Sequence, residues 1–135
     1  MRRYLLLLLA PIIPALLTGW LHPRRPDWTA AMHPTPLVSL AEVPPAPLWI
    51  DAREPAAYAA GHVPGALSLS ETKWEQGLPA FLAAWNPGTT VIVYCGGETC
   101  GASRAVAQRL RRELGIDKVY ILEGGWDAWR SRHRP

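Results

Sequence analysis

Blocks of apolar and polar residues alternate from residue 48 onward and predict strands and helices in turn. Short apolar runs, rich in β-branched residues where the signal is clearest, are typical of buried strands; they are LWIDA, GALSLS, TTVIVYC and KVYIL. Longer amphipathic stretches predict helices; they are EPAAYAAGH, ETKWEQGLPAFLAAW, ASRAVAQRLRREL and WDAWRSRH. Strands alternating with helices at this spacing indicate an α/β fold with a parallel sheet and helices on both faces.

Proline, glycine and serine set the expected limits of these elements. Pro55 suits the first turn of the first helix, and Gly61 suits its end. We expect Gly77 and Pro79 to break the second helix. In the third helix Ser103 is the expected N-cap and Gly115 the stop. Ahead of these elements, LVSLAEV predicts a short edge strand followed by a helical turn.

The first quarter of the chain differs from the rest. In residues 1–22 two arginines precede a mostly apolar run, which predicts a transmembrane anchor contacting the membrane through residues 4–21. A cleaved signal is the alternative, although the nearest small-residue site, at Thr29 to Ala31, lies well downstream. A proline-rich linker at 23–35 and a domain at 36–135 follow.

The short amino-terminal flank favours an inner-membrane protein whose domain faces the periplasm or exterior. A cytoplasmic orientation stays open, because arginines flank the apolar run on both sides. The formal net charge of +3 comes from scattered basic residues without a continuous basic face, so no nucleic-acid partner is expected. The four histidines, at positions 22, 33, 62 and 133, lie too far apart in sequence to suggest a metal site. A nucleotide-binding glycine loop ending in Gly-Lys-Ser is also missing, and no cofactor is predicted.

Cys95 is the candidate for chemistry. It ends the clearest strand, and the loop after it leads into the clearest helix, so helix-end amides are expected to favour a thiolate there. The predicted anion-binding loop comprises Gly96, Gly97, Glu98, Thr99, Cys100, Gly101, Ala102 and Ser103. A reactive cysteine of this kind is expected in a partly exposed, electropositive setting.

Four segments in register resemble the rhodanese family of sulfurtransferases: IDAR at 50–53, YAAGHVPGAL at 58–67, YC at 94–95 and LEGGWDAW at 122–129. The resemblance covers residues 36–132 and implies a parallel five-stranded sheet and a cysteine that carries sulfur as a persulfide. It implies that Cys95 receives sulfur from a small donor and passes it to a thiol or protein acceptor. Asp51, Arg53 and His62 match family positions, for which we expect structural roles. Gly124, Gly125 and Trp126 match the segment that flanks the active loop.

The loop departs from the usual family pattern. Ser103 comes eight positions after Cys95 instead of six, and the intervening GGETCGA holds Glu98 but no cation. A dianionic donor such as thiosulfate would therefore depend on Arg104, just inside the helix. A phosphatase of the related type needs an arginine six positions after the cysteine, where this chain has Gly101.

Two other functions stay open. Cys95 and Cys100 are spaced to cycle between dithiol and disulfide in an oxidising compartment. The domain is alternatively a non-catalytic binding module, since a fold does not establish an activity.

Overall fold

The fold is given by a computed structural model that describes residues 34–97 and 101–134. Its strands are β1 (Leu37–Val38), β2 (Leu48–Asp51), β3 (Leu67–Ser68), β4 (Val91–Tyr94) and β5 (Val119–Leu122). They pair in the order β1-β5-β4-β2-β3, and every neighbouring pair is parallel. The predicted five-stranded parallel sheet is thus confirmed, with β4 at its centre and β1 as an edge strand.

Four helices connect and cover the strands in the described residues: α1 (Pro55–Ala60), α2 (Trp74–Ala84), α3 (Gly101–Leu114) and α4 (Gly125–Arg132). Alternate residues of β4 enter two separate cores. Val91 and Val93 pack with α2 and α3 on one face, whereas Ile92 and Tyr94 pack with the tryptophans of α4 on the other. Because both faces are covered, β4 is buried at all four positions and reads as a continuous apolar run.

Helix α2 corrects one expectation, because Gly77 and Pro79 lie inside it and do not break it. Pro79 has no N–H and cannot donate a helical hydrogen bond. The burial of Trp74 and Phe81 in the first core offsets that loss. A Cβ atom at Gly77 would lie 2.7 Å from the carbonyl oxygen of Ser68. The glycine therefore allows close contact between α2 and β3.

The expected helix stops are confirmed. Gly61 caps α1 and donates its backbone N–H to the carbonyl of Tyr58. Gly115 follows α3 with φ +67° and donates to the carbonyl of Arg111. A residue in the left-handed backbone conformation commonly ends a helix, and glycine adopts this conformation at little steric cost.

Contacts along the chain separate residues 34–135 from residues 1–33 as two units. The anchor or signal predicted at 1–22 and most of the predicted linker lie outside the described residues. Among the described helices, none combines the length and apolar character that crossing a bilayer requires.

Candidate active site

Cys95 directly follows β4, at the carboxyl end of the central strand. This is the edge of a parallel sheet at which ligands bind in open α/β folds. The residue is only 3% exposed, so the partly exposed position expected from the sequence is wrong. The start of α4 lies against the backbone of Cys95 and covers it.

The sulfur of Cys95 has two described polar neighbours. The buried Ser103 hydroxyl donates a hydrogen bond to Sγ across 3.5 Å, and the thiol faces the carbonyl oxygen of Gly97 at 3.6 Å. Ser103 lies inside α3 and not ahead of it, which corrects its expected role as N-cap. Its hydroxyl is directed at the cysteine, so a donor from the first turn of α3 is available to a thiolate.

The rest of the predicted anion loop is only partly described. Gly101 and Ala102 begin α3, and Ala102 packs against the first core. Glu98, Thr99 and Cys100 lie outside the described residues. The anion-binding role of that segment therefore stays a prediction, and the Cys95–Cys100 redox pair stays an alternative.

The start of α4 fixes the backbone of the cysteine. Trp126 donates its N–H to the carbonyl of Cys95 at 2.7 Å, and Asp127 donates its N–H to the carbonyl of Gly96 at 3.3 Å. Gly125 has φ +50°, and a Cβ atom there would overlap the Cys95 carbonyl oxygen. The Gly124–Gly125 pair thus allows the helix end to approach the cysteine closely, which explains why two glycines stand there.

A buried ion pair lies beside the cysteine, at the end of β2. Arg53 binds the Asp51 carboxylate through Nε and Nη2, with the shortest distance 2.6 Å, and Nη2 also donates to the carbonyl of Gly61 at 2.7 Å. The Tyr94 hydroxyl donates to Asp51 Oδ2 at 2.9 Å and accepts the Val63 N–H at 3.1 Å. Burial, together with the nearby charge of Asp51, raises the pKa of Tyr94 well above its usual value.

This network supports a structural role for Asp51 and Arg53, because their hydrogen bonds tie β2, β4 and the turn after α1 together. The hydrogen bonds that Arg53 donates to the Asp51 carboxylate raise the pKa of Arg53. Arg53 also lies over the Trp126 ring, 4.9 Å from its centroid. The sequence alone did not reveal that Tyr94 belongs to the network, since a tyrosine ending a strand is ordinarily a core residue.

His62 also has structural contacts. Its ring stacks on Tyr58 with centroids 3.8 Å apart, and Nδ1 lies 2.9 Å from the Tyr58 carbonyl oxygen. Trp126 and Trp129 stack on one another with ring centroids 5.3 Å apart, and both pack against the second core. Within residues 34–97 and 101–134, no group of histidine, cysteine and carboxylate side chains is arranged to hold a metal ion.

Arg104 lines a cleft of about 250 Å³ next to the cysteine. The cleft also includes Gly97 and Ser103, two described residues that contact Sγ. Glu123 lies in the same lining. The sequence did not indicate this acid, because it follows a different strand and lines the same cleft as Arg104 only through the pairing of β5 with β4.

The described domain is a parallel α/β sheet with a buried cysteine after its central strand, next to the amino terminus of a helix. The family model "Rhodanese-like domain" matches residues 34–132, and the chain belongs to that family. Many members of the family are sulfurtransferases and many are non-catalytic.

Solved structures are similar in fold. A rhodanese-related protein from Thermoplasma volcanium aligns with TM-score 0.58 and 18% identity over 74% of this chain and 95% of that one. A Rhodopseudomonas palustris protein described as a possible tyrosine phosphatase aligns with TM-score 0.53 and 21% identity, covering 79% and 87%. The reduced CoADR-RHD of Bacillus anthracis aligns with TM-score 0.52 and 21% identity, covering 72% of this chain and 17% of that one. At these identities the likeness concerns the fold alone.

Proposed function

We propose that the domain is a sulfurtransferase that carries sulfur as a persulfide on Cys95. The observation that carries the proposal is the setting of Cys95, which directly follows the central strand. Its sulfur accepts a hydrogen bond from the Ser103 hydroxyl at 3.5 Å, and its carbonyl accepts one from the Trp126 N–H. A fixed thiolate with a hydrogen-bond donor beside it is suited to nucleophilic attack on sulfur.

The reaction has two displacement steps. In the first, the Cys95 thiolate attacks the outer sulfur of a donor; the new S–S bond forms, and the donor's bond to that sulfur breaks with its electron pair leaving on the remainder. In the second, an acceptor nucleophile attacks the outer sulfur, and the S–S pair returns to Cys95 as thiolate. No external oxidant or reductant is consumed, and no side-chain base is needed once the thiolate is present.

The charged residues near Cys95 make thiosulfate a poor candidate for the sulfur donor. The segment between Cys95 and Ser103 carries Glu98 and no cation. Of the residues that line the described cleft, Arg104 is the cation and Glu123 opposes it. A dianion gains attraction from one group and repulsion from the other.

Intact mass tests the proposal directly. The reduced protein is exposed to inorganic polysulfide or thiosulfate and compared with Cys95→Ser. A gain of one sulfur that requires Cys95 supports the transferase. Loss of two hydrogens without sulfur gain supports the Cys95–Cys100 disulfide instead, and no change with either donor supports a binding module.

We also propose that residues 4–21 hold the domain at a membrane, with the domain on the periplasmic or outer side. The support is the apolar run after Arg2 and Arg3. Protease treatment of intact cells and of opened cells tests the orientation. Digestion of the domain only after the inner membrane is opened would place it in the cytoplasm.

A further inference from the structure

The cleft beside Cys95 combines an apolar floor with one group of each charge. Its described lining includes Leu37, Gly97, Ser103, Arg104, Ile121 and Glu123. Cys95 lies behind Gly97 and Ser103, which contact its sulfur. The cleft is therefore one residue away from the reacting atom.

Arg104 and Glu123 are both available to a ligand. Both side chains are exposed, and no ion pair within 4 Å joins either of them to another described residue. Arg104 lies in the first turn of α3, and Glu123 directly follows β5. A molecule in the cleft is therefore next to a guanidinium from α3 and a carboxylate from the end of β5.

We infer that the cleft admits, as sulfur acceptor, a small thiol carrying both a carboxylate and an ammonium group. This inference rests on the proposed persulfide chemistry. Arg104 binds the carboxylate, and Glu123 binds the ammonium. A volume of about 250 Å³ falls below the roughly 300–1,000 Å³ of drug-sized sites. The site therefore fits an amino-acid-sized molecule, with its carbon chain over Leu37 and Ile121.

Persulfide geometry brings the reacting sulfur toward this cleft. An S–S bond places the outer sulfur about 2 Å from Sγ, which is part of the 3.5–3.6 Å that separates Sγ from its contacts in Ser103 and Gly97. The acceptor thiol therefore has to approach the outer sulfur between these two residues of the cleft lining. The acceptor thiolate attacks the outer sulfur, a new S–S bond forms on the acceptor, and the old bond returns its electron pair to Cys95. The product is a small persulfide that keeps both charged groups.

The test measures single-turnover transfer of the added sulfur from Cys95 to an acceptor, with full-length protein in mild detergent. All variants carry Cys100→Ser, so that Cys95 is the single remaining cysteine of the two in the chain. Inorganic polysulfide loads Cys95, excess reagent is removed, and intact mass follows loss of the added sulfur. Four acceptors are compared: cysteine, N-acetylcysteine, cysteine ethyl ester and 2-mercaptoethanol. They carry, respectively, both charges, the carboxylate alone, the ammonium alone, and neither.

The unloading rate of each variant is divided by the unloading rate of the parent with the same acceptor. Differences in intrinsic reactivity between the four thiols therefore cancel. Arg104→Gln is expected to slow unloading by cysteine and N-acetylcysteine about three- to tenfold, and to leave the other two within about twofold. Glu123→Gln is expected to slow cysteine and the ethyl ester by a similar factor and to leave N-acetylcysteine and 2-mercaptoethanol within about twofold. Arg112→Gln and Glu71→Gln are matched controls, because both residues are exposed and neither lines the cleft.

Equal slowing across all four acceptors, or equal effects in the two control variants, overturns the inference and leaves the sulfurtransferase proposal standing. Absence of sulfur gain during loading is a different result. It overturns the proposed function, and this inference with it.

Discussion

Tyr94→Phe removes one oxygen atom from the buried network that joins β2, β4 and the turn after α1. Tyr94 is fully buried. Its hydroxyl donates to Asp51 Oδ2 at 2.9 Å and accepts the Val63 N–H at 3.1 Å. The ring stays the same size, so the variant leaves packing intact and tests the two hydrogen bonds.

The structure sets the expected magnitude. A hydrogen bond to a charged group contributes about 1.5–3 kcal/mol, and a buried N–H left without a partner costs about 1–3 kcal/mol. Asp51 keeps its bonds to Arg53, so the two losses do not add in full. We expect the free energy of unfolding to fall by about 2–4 kcal/mol, which for a domain of this size lowers Tm by at least about 8 °C.

Urea unfolding of the fragment beginning at Pro34 measures the change. Tyr120→Phe is the matched control, because Tyr120 is half-buried in the same core and its hydroxyl makes no hydrogen bond with a described residue. If Tyr94→Phe unfolds within about 0.5 kcal/mol of Tyr120→Phe, the hydroxyl does not contribute as argued.

The comparison of Tyr94→Phe with the parent also makes a pH prediction. Burial raises the pKa of Tyr94 in the folded state, while the unfolded value is about 10. Because the folded state holds the proton more tightly, the contribution of the neutral hydroxyl is complete below about pH 10 and is lost as pH rises toward the folded pKa. The stability difference between the parent and Tyr94→Phe should therefore narrow above about pH 10, and a constant difference would contradict the argument.

Four further outcomes are expected. Cys95→Ser should abolish the sulfur gain seen by intact mass while leaving the circular dichroism spectrum unchanged; sulfur transfer that survives would remove Cys95 from the mechanism. Gly125→Ala should destabilise the fragment by more than the about 1–2 kcal/mol that left-handed backbone strain alone costs, because the added methyl would overlap the Cys95 carbonyl. Gly115→Ala is the control for strain without a clash, since Gly115 has φ +67° and open space around it. Equal urea midpoints for the two variants would refute the contact. Cys100→Ser should keep a substantial part of the sulfur-transfer rate, and full loss with the fold preserved would favour the redox pair. The fragment beginning at Pro34 should be soluble and unfold cooperatively, whereas aggregation would show that earlier residues stabilise it.

Local patterns in the sequence were sufficient for the order of elements. The β-branched run at β4, Pro55 at the start of α1 and Gly115 after α3 each act within a few residues, so they could be interpreted without knowing the fold. The position of Cys95 followed from the same local reasoning, because a cysteine after a buried parallel strand must lie at the carboxyl edge of the sheet.

Contacts between distant segments decided the rest. Helix α2 continues through Pro79 because Trp74 and Phe81 are buried by other elements, a gain that no local propensity includes. Cys95 is buried because α4, some thirty residues later in the chain, donates its first N–H groups to the carbonyls of Cys95 and Gly96. Glu123 faces the same cleft as Arg104 only because β5 pairs beside β4. Such partners are invisible in sequence, since hydrogen bonds and charges act over ångströms in space and not over positions along the chain.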